Sequence, residues 1–142
     1  MLHGRKKQEK QELTPEQKKE IEDKLKKISL INQTLLKKRS NKEYDRASLE
    51  QTEKFSFLSP DFSTLWNYRR EIITHLFLAE FDAMESATEK KYEFVTRELE
   101  FLVKGIMKNP KSYTLWFHRQ WAIEKGLSFE RQLLAQEKEA YG

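Results

Sequence analysis

The stretch Asn109-Pro110-Lys111-Ser112-Tyr113-Thr114-Leu115-Trp116-Phe117-His118-Arg119-Gln120-Trp121 decides how this chain is read. An earlier copy runs Ser59-Pro60-Asp61-Phe62-Ser63-Thr64-Leu65-Trp66-Asn67-Tyr68-Arg69-Arg70. Pro60 and Pro110, Thr64 and Thr114, Leu65 and Leu115, Trp66 and Trp116, and Arg69 and Arg119 are all separated by 50 residues. Five identities at one offset point to an internal repeat. Repeats with periods of roughly 20–50 residues indicate solenoids or arrays.

The flanking sequence predicts helices. Thr14-Pro15-Glu16-Gln17 is a helix start, with a hydroxyl N-cap, proline at the first helical position and glutamine at the third. Behind it, Ile21, Leu25, Ile28, Leu30, Ile31, Leu35 and Leu36 recur mostly at steps of three or four, which predicts a leading helix over 14–41. A first helical pair is expected over 45–78, broken at Ser59-Pro60, because a residue before proline avoids the helical region. Leu49, Phe55 and Leu58 mark the inner side of its first helix, and Leu65, Trp66, Arg69, Ile72, Ile73, Leu76 and Phe77 that of its second.

A second pair is expected over 86–125. Ser86-Ala87-Thr88-Glu89 reads as a capping box, and Tyr92, Val95, Leu99, Leu102, Val103 and Ile106 form the cleanest amphipathic stripe in the chain. Gly126 fits a helix C-cap, and Ser128 a cap opening an incomplete third unit over 128–142. Residues 1–13 carry little apolar content and are expected to stay loose. No strand alternation or tight hairpin signal is present. The fold class is all-α, a solenoid of stacked antiparallel helix pairs. Such units need about three or more copies to bury their faces, so two pairs suggest the front of a longer array.

Composition narrows the function. The chain has 142 residues, 37% apolar and 35% charged, and no cysteine, so there is no disulfide framework and no thiolate chemistry. No apolar run approaches the ~18 residues of a membrane span. The basic N-terminus has no apolar segment behind it and is not a secretory signal; a cytoplasmic location is expected. Residues 1–46 hold 14 Lys and Arg against 8 Asp and Glu, whereas 47–142 hold 13 against 15. The interleaved acids make the basic segment a solvated helix face rather than a nucleic-acid footprint.

The pattern Asn-Pro-Lys-Ser-Tyr-Xaa-Xaa-Trp-Xaa-Xaa-Arg resembles the alpha-subunit repeat of the protein prenyltransferases. From residue 1 to about 127 the chain is similar to the N-terminal part of alpha subunits of the type II, or Rab, geranylgeranyltransferases. Met1-Leu2-His3-Gly4-Arg5 and Ser59 to Glu71 carry much of that likeness. The resemblance implies a crescent of helical pairs wrapping a separate beta subunit, which binds catalytic zinc and most of the isoprenoid. It implies transfer of a geranylgeranyl group from geranylgeranyl diphosphate to C-terminal cysteines of Rab GTPases presented by an escort protein. Family alpha subunits carry at least five repeats. This chain, with two, is expected to be a fragment or short isoform and inactive alone. A non-catalytic helical adaptor sharing the repeat is the alternative.

By the same resemblance, Lys111 and Tyr113 are the candidate catalytic residues. Cleavage of the carbon–oxygen bond builds negative charge on the departing diphosphate, and a fixed cation stabilises it. A lysine at a helix N-terminus adds its charge to donors already suited to phosphate. Without the motif, Lys111 reads as a solvated loop lysine and Tyr113 as repeat packing. Asp61 occupies the lysine position in the first copy, so only the second could serve. Pro60, Trp66, Arg69, Pro110, Trp116 and Arg119 are the repeat-defining residues. The three tryptophans, Trp121 included, are expected in the core, and the two arginines are expected to bond neighbouring helix ends, with contact to the partner subunit as the alternative. His3, His75 and His118 do not have the spacing of a metal set, and His118 is expected on a helix face or interface.

Overall fold

The computed structural model describes residues 12–141, so His3 and most of the expected loose N-terminus lie outside the described residues. Five helices follow in order: α1 (Pro15–Ser40), α2 (Arg46–Phe55), α3 (Ser63–Leu76), α4 (Ala87–Lys108) and α5 (Tyr113–Tyr141). A π-helical turn, Phe77–Phe81, extends α3. Among the described residues there is no strand, and the chain is all-α.

The start of α1 has the predicted chemistry. The Gln17 amide donates to Thr14 Oγ1 at 3.2 Å, and the Thr14 amide donates to Gln17 Oε1 at 3.0 Å. Burial of its stripe departs from expectation. Only Leu35 is buried, with Ile31 packed partly on the core, while Ile21, Leu25 and Leu30 stay exposed. At ~1.5 Å per residue, the 26 residues of α1 run far past the ten of α2. Only its last turns meet a neighbour.

Asp45 caps α2, its Oδ1 accepting from the Ser48 amide at 2.7 Å. Leu58, expected inside, is exposed because α2 ends at Phe55 and the chain turns before reaching it. In α3 every expected inner residue is buried, from Leu65 to Leu76, with Phe77 beyond. The predicted capping box at Ser86 does not form. Ser86 sits in the left-handed region at φ 56° and makes no side-chain cap. Tyr92 and Val103 are exposed; the inner face of α4 is instead Val95, Glu98, Leu102 and Gly105.

The predicted break at Gly126 is absent, and α5 is one helix of 29 residues. Glycine within a helix costs about 1 kcal/mol relative to alanine. Packing outweighs that cost. Ala122 and Phe129 flank Gly126 and enter the same core as Val95 of α4 and Phe77 of the π-turn. Phe129 meets Phe77 edge-on with centroids 5.7 Å apart. A second cluster, Trp66, Leu102 and Leu115, is closed by Phe57, Phe101 and Ile106 where the two repeats stack.

Candidate functional site

The spacing of the repeat motif has a direct structural cause. The indole Nε1–H of Trp66 donates to the Pro60 carbonyl at 3.0 Å, and that of Trp116 to the Pro110 carbonyl at 2.6 Å. In each copy the tryptophan thus closes the turn that begins its own helix. Beyond that local bond the copies diverge. Trp66 is wholly buried under Phe57, Phe101 and His118. Trp116 is 44% exposed, contrary to the expectation of a core position. The second repeat covers Trp66, and among the described residues no helix pair covers Trp116 in the same way.

The arginines diverge likewise. Arg69 is buried, with Nε and Nη2 each 2.6 Å from an oxygen of Glu98 in α4. Its Nη1 donates to the Leu49 carbonyl at 3.1 Å and to Thr52 Oγ1 at 2.9 Å, both in α2. Its partners are the middles of two helices rather than the expected helix ends. Arg119 is exposed, its guanidinium 5.6 Å from the Trp116 ring.

The turn before α5 is tied to its counterpart in the first repeat. Ser112 Oγ donates to Asp61 Oδ1 at 2.7 Å, so the acid in the lysine position of the first copy anchors the neighbour of Lys111. Lys111 itself is exposed. Tyr113, the first residue of α5, is 79% exposed and tilts against Phe117, centroids 6.3 Å apart. Both side chains point away from the core, one at the end of the turn and one on the first turn of α5.

His118 lies at the interface of α3, α4 and α5. It is fully buried, with Nε2 2.7 Å from Glu98 Oε2 and Nδ1 3.0 Å from Arg70 Nη1. A guanidinium can only donate. Nδ1 therefore accepts, the proton resides on Nε2, and Nε2–H donates to Glu98. Burial pushes His118 below the ordinary histidine range, only partly opposed by Glu98. Burial alone would raise Glu98, but hydrogen bonds from Arg69 and His118 reverse this and bring its carboxyl down to about 2. The chain Arg69–Glu98–His118–Arg70 joins α3, α4 and α5, and the bonds of Arg69 to Leu49 and Thr52 tie it to α2. One sequence signal was Glu98, a carboxylate on the inner stripe between Val95 and Leu102. The repeat motif marked Arg69 as well, but nothing in the sequence paired it with Glu98 or placed Arg70 against His118.

Arg70 brings this network to the surface. Between α3 and α5 lies a cleft of about 180 Å³ lined by Ser63, Asn67, Arg70, Tyr113, Thr114 and Phe117. It adjoins a wider groove of about 720 Å³ that shares Asn67, Arg70 and Phe117 and extends to Tyr44, His75 and Trp121. Tyr113, Phe117 and Trp121, at successive steps of four, make an aromatic edge along α5. The described residues contain no cluster of three His, Cys, Asp or Glu side chains able to hold a metal ion. Both His118 nitrogens are already engaged within the protein.

A solenoid of helix pairs, each closed by a Pro-to-Trp turn, defines the class of protein. Residues 95–126 match the protein prenyltransferase alpha subunit repeat, so the chain carries a repeat of that family. It is 38% identical over 125 residues to the geranylgeranyl transferase type-2 subunit alpha of Rattus norvegicus, covering 87% of this chain and 21% of the relative. The Homo sapiens subunit of that name is 37% identical over 123 residues, 86% of this chain and 21% of the relative. The Saccharomyces cerevisiae one is 30% identical over 124 residues, 87% and 35%. The chain thus spans about a fifth of the length of these mammalian relatives.

Proposed function

We propose that this chain supplies repeats of the alpha subunit of a Rab geranylgeranyltransferase, working with a beta subunit. The observation that carries the reading is its similarity, along most of its length, to alpha subunits of geranylgeranyl transferase type-2. In this reading the beta subunit holds zinc and most of the geranylgeranyl diphosphate, and an escort protein presents the Rab GTPase. Lys111 and Tyr113 are this chain's contribution. Both are exposed and face outward, leaving them open to a ligand held by another chain. The Lys111 ammonium stabilises charge developing on the departing diphosphate. The Tyr113 hydroxyl donates to a diphosphate oxygen or to the attacking thiolate. Alone, the chain does not transfer the prenyl group.

The test is transfer of labelled geranylgeranyl to a Rab protein by the alpha–beta heterodimer carrying all repeats, with zinc and escort protein. Lys111→Ala is expected to lower kcat by roughly a hundredfold. Unchanged turnover would favour a non-catalytic adaptor.

A further inference from the structure

Three arginines of the described chain are buried or half-buried: Arg39, Arg69 and Arg70. Arg69 grips Glu98, and Arg39 grips Glu71 through three hydrogen bonds of 2.7 to 3.2 Å. Arg70 has no carboxylate within salt-bridge distance among the described residues. Its partners are neutral: Nη1 donates to His118 Nδ1, and Nη2 donates to Asn67 Oδ1. The guanidinium also lies 4.9 Å from the Phe117 ring centroid. The acid next to it in sequence, Glu71, is committed to Arg39. Glu71 attracts Arg70 only from beyond salt-bridge distance, so burial still pulls the guanidinium below its ordinary range, and a partly desolvated cation that no carboxylate bonds carries an electrostatic cost that an incoming anion relieves.

Its surroundings fit such an anion. Arg70 is the one charged residue lining the 180 Å³ cleft; the others are three hydroxyl residues (Ser63, Thr114, Tyr113), an amide (Asn67) and Phe117. Two of the five guanidinium N–H donors are used within the protein, which leaves three. The fixed His118 tautomer holds the fork in place, so little ordering is required on binding. Ser63 and Tyr113 open α3 and α5, adding the positive ends of two helices. Donors converging from two helices suit the several oxygens of a phosphate better than the two of a carboxylate.

We propose that this cleft binds a phosphate group, with Arg70 as its cation and His118 as the positioning residue behind it. The inference deepens the reading of Lys111 and Tyr113, and rests on that reading for the source of the phosphate, a prenyl diphosphate.

Inorganic diphosphate is titrated into the ¹⁵N-labelled 142-residue chain and followed by NMR at fixed ionic strength, with acetate in a parallel arm. Saturable shifts at the Tyr113 and Thr114 amides and the Arg70 Nε–H are expected. Arg70→Gln is expected to weaken binding at least roughly tenfold, and Arg119→Gln to leave it unchanged. The proposal is overturned if the shifts map to the lysines of α1, if Arg70→Gln binds equally well, or if acetate competes equally with diphosphate. Should Arg70→Gln unfold, the wild-type shift map and Ser63→Ala decide. Diphosphate binding without prenyl transfer in the heterodimer would defeat the functional reading alone. Transfer without binding at Arg70 would defeat this site alone.

Discussion

Arg69 of the first repeat and Glu98 of the second meet through two hydrogen bonds of 2.6 Å, with both side chains 4% exposed. Their attraction is strong only because water is excluded, and for the same reason neither tolerates loss of the other. Arg69→Ala is expected to cost about 3–5 kcal/mol by urea denaturation. Replacing both residues by leucine or methionine is expected to cost less than that single change. Equal, additive costs in a double-mutant cycle would show that the pair does not couple the repeats.

Acid should unfold the chain in two stages. His118 is depressed in the folded state, so its contribution is present above the ordinary value of 6.5 and declines as pH falls below it, when the unfolded chain takes a proton that the folded one resists. Glu98, lowered from 4.5 to about 2, contributes above pH 4.5 and loses that contribution between 4.5 and about 2. Stability measured from pH 8 to 3 should therefore fall first through the histidine window. In His118→Asn that first limb should disappear and the second remain.

The two motif tryptophans should behave differently. Trp66→Ala empties a wholly buried site and is expected to cost about 3–5 kcal/mol. Trp116→Ala removes an indole that is 44% exposed and is expected to cost clearly less. Acrylamide quenching of single-tryptophan variants gives a second measure, with Trp116 the more accessible. Equal costs and equal quenching would contradict the stacking of the second repeat on Trp66 alone.

Gly105→Ala should destabilise despite alanine's higher helix propensity. A Cβ at Gly105 would run into the Phe57 ring. That ring stacks on Phe101 at 4.8 Å and tilts against Trp66 at 6.1 Å, so it has little room to move. Overpacking of this kind typically costs about 1–3 kcal/mol, against the ~1 kcal/mol that alanine gains over glycine in a helix. A rise in the urea midpoint would show that Phe57 yields.

Lys111→Ala should leave stability within about 0.5 kcal/mol of the parent, because the side chain is exposed. Its effect should appear only in the heterodimer's turnover. A marked loss of stability would assign Lys111 a structural duty instead.

Local chemistry made much of this architecture legible. The capping box at Thr14, the proline breaks at 60 and 110, and the run from Leu65 to Phe77 depend on neighbours a few residues away. The same locality misled at Ser86 and Gly126. A hydroxyl followed by glutamate does not cap when the backbone enters the left-handed region, and a glycine does not end a helix pinned on both sides by Ala122 and Phe129.

The amino-acid sequence alone determined the class: two copies of a proline-to-tryptophan turn spaced 50 residues apart, each launching an amphipathic helix. It also brought Lys111 and Tyr113 forward through their motif. Only the tertiary structure decided that identical motif residues play unequal parts. Trp66 and Arg69 are buried because the second repeat stacks on them, whereas Trp116 and Arg119 remain open. The reason is that burial and charge pairing depend on what arrives from elsewhere in the chain. Glu98 lies 29 residues from Arg69 and His118 lies 48 from Arg70, distances over which sequence periodicity carries no information.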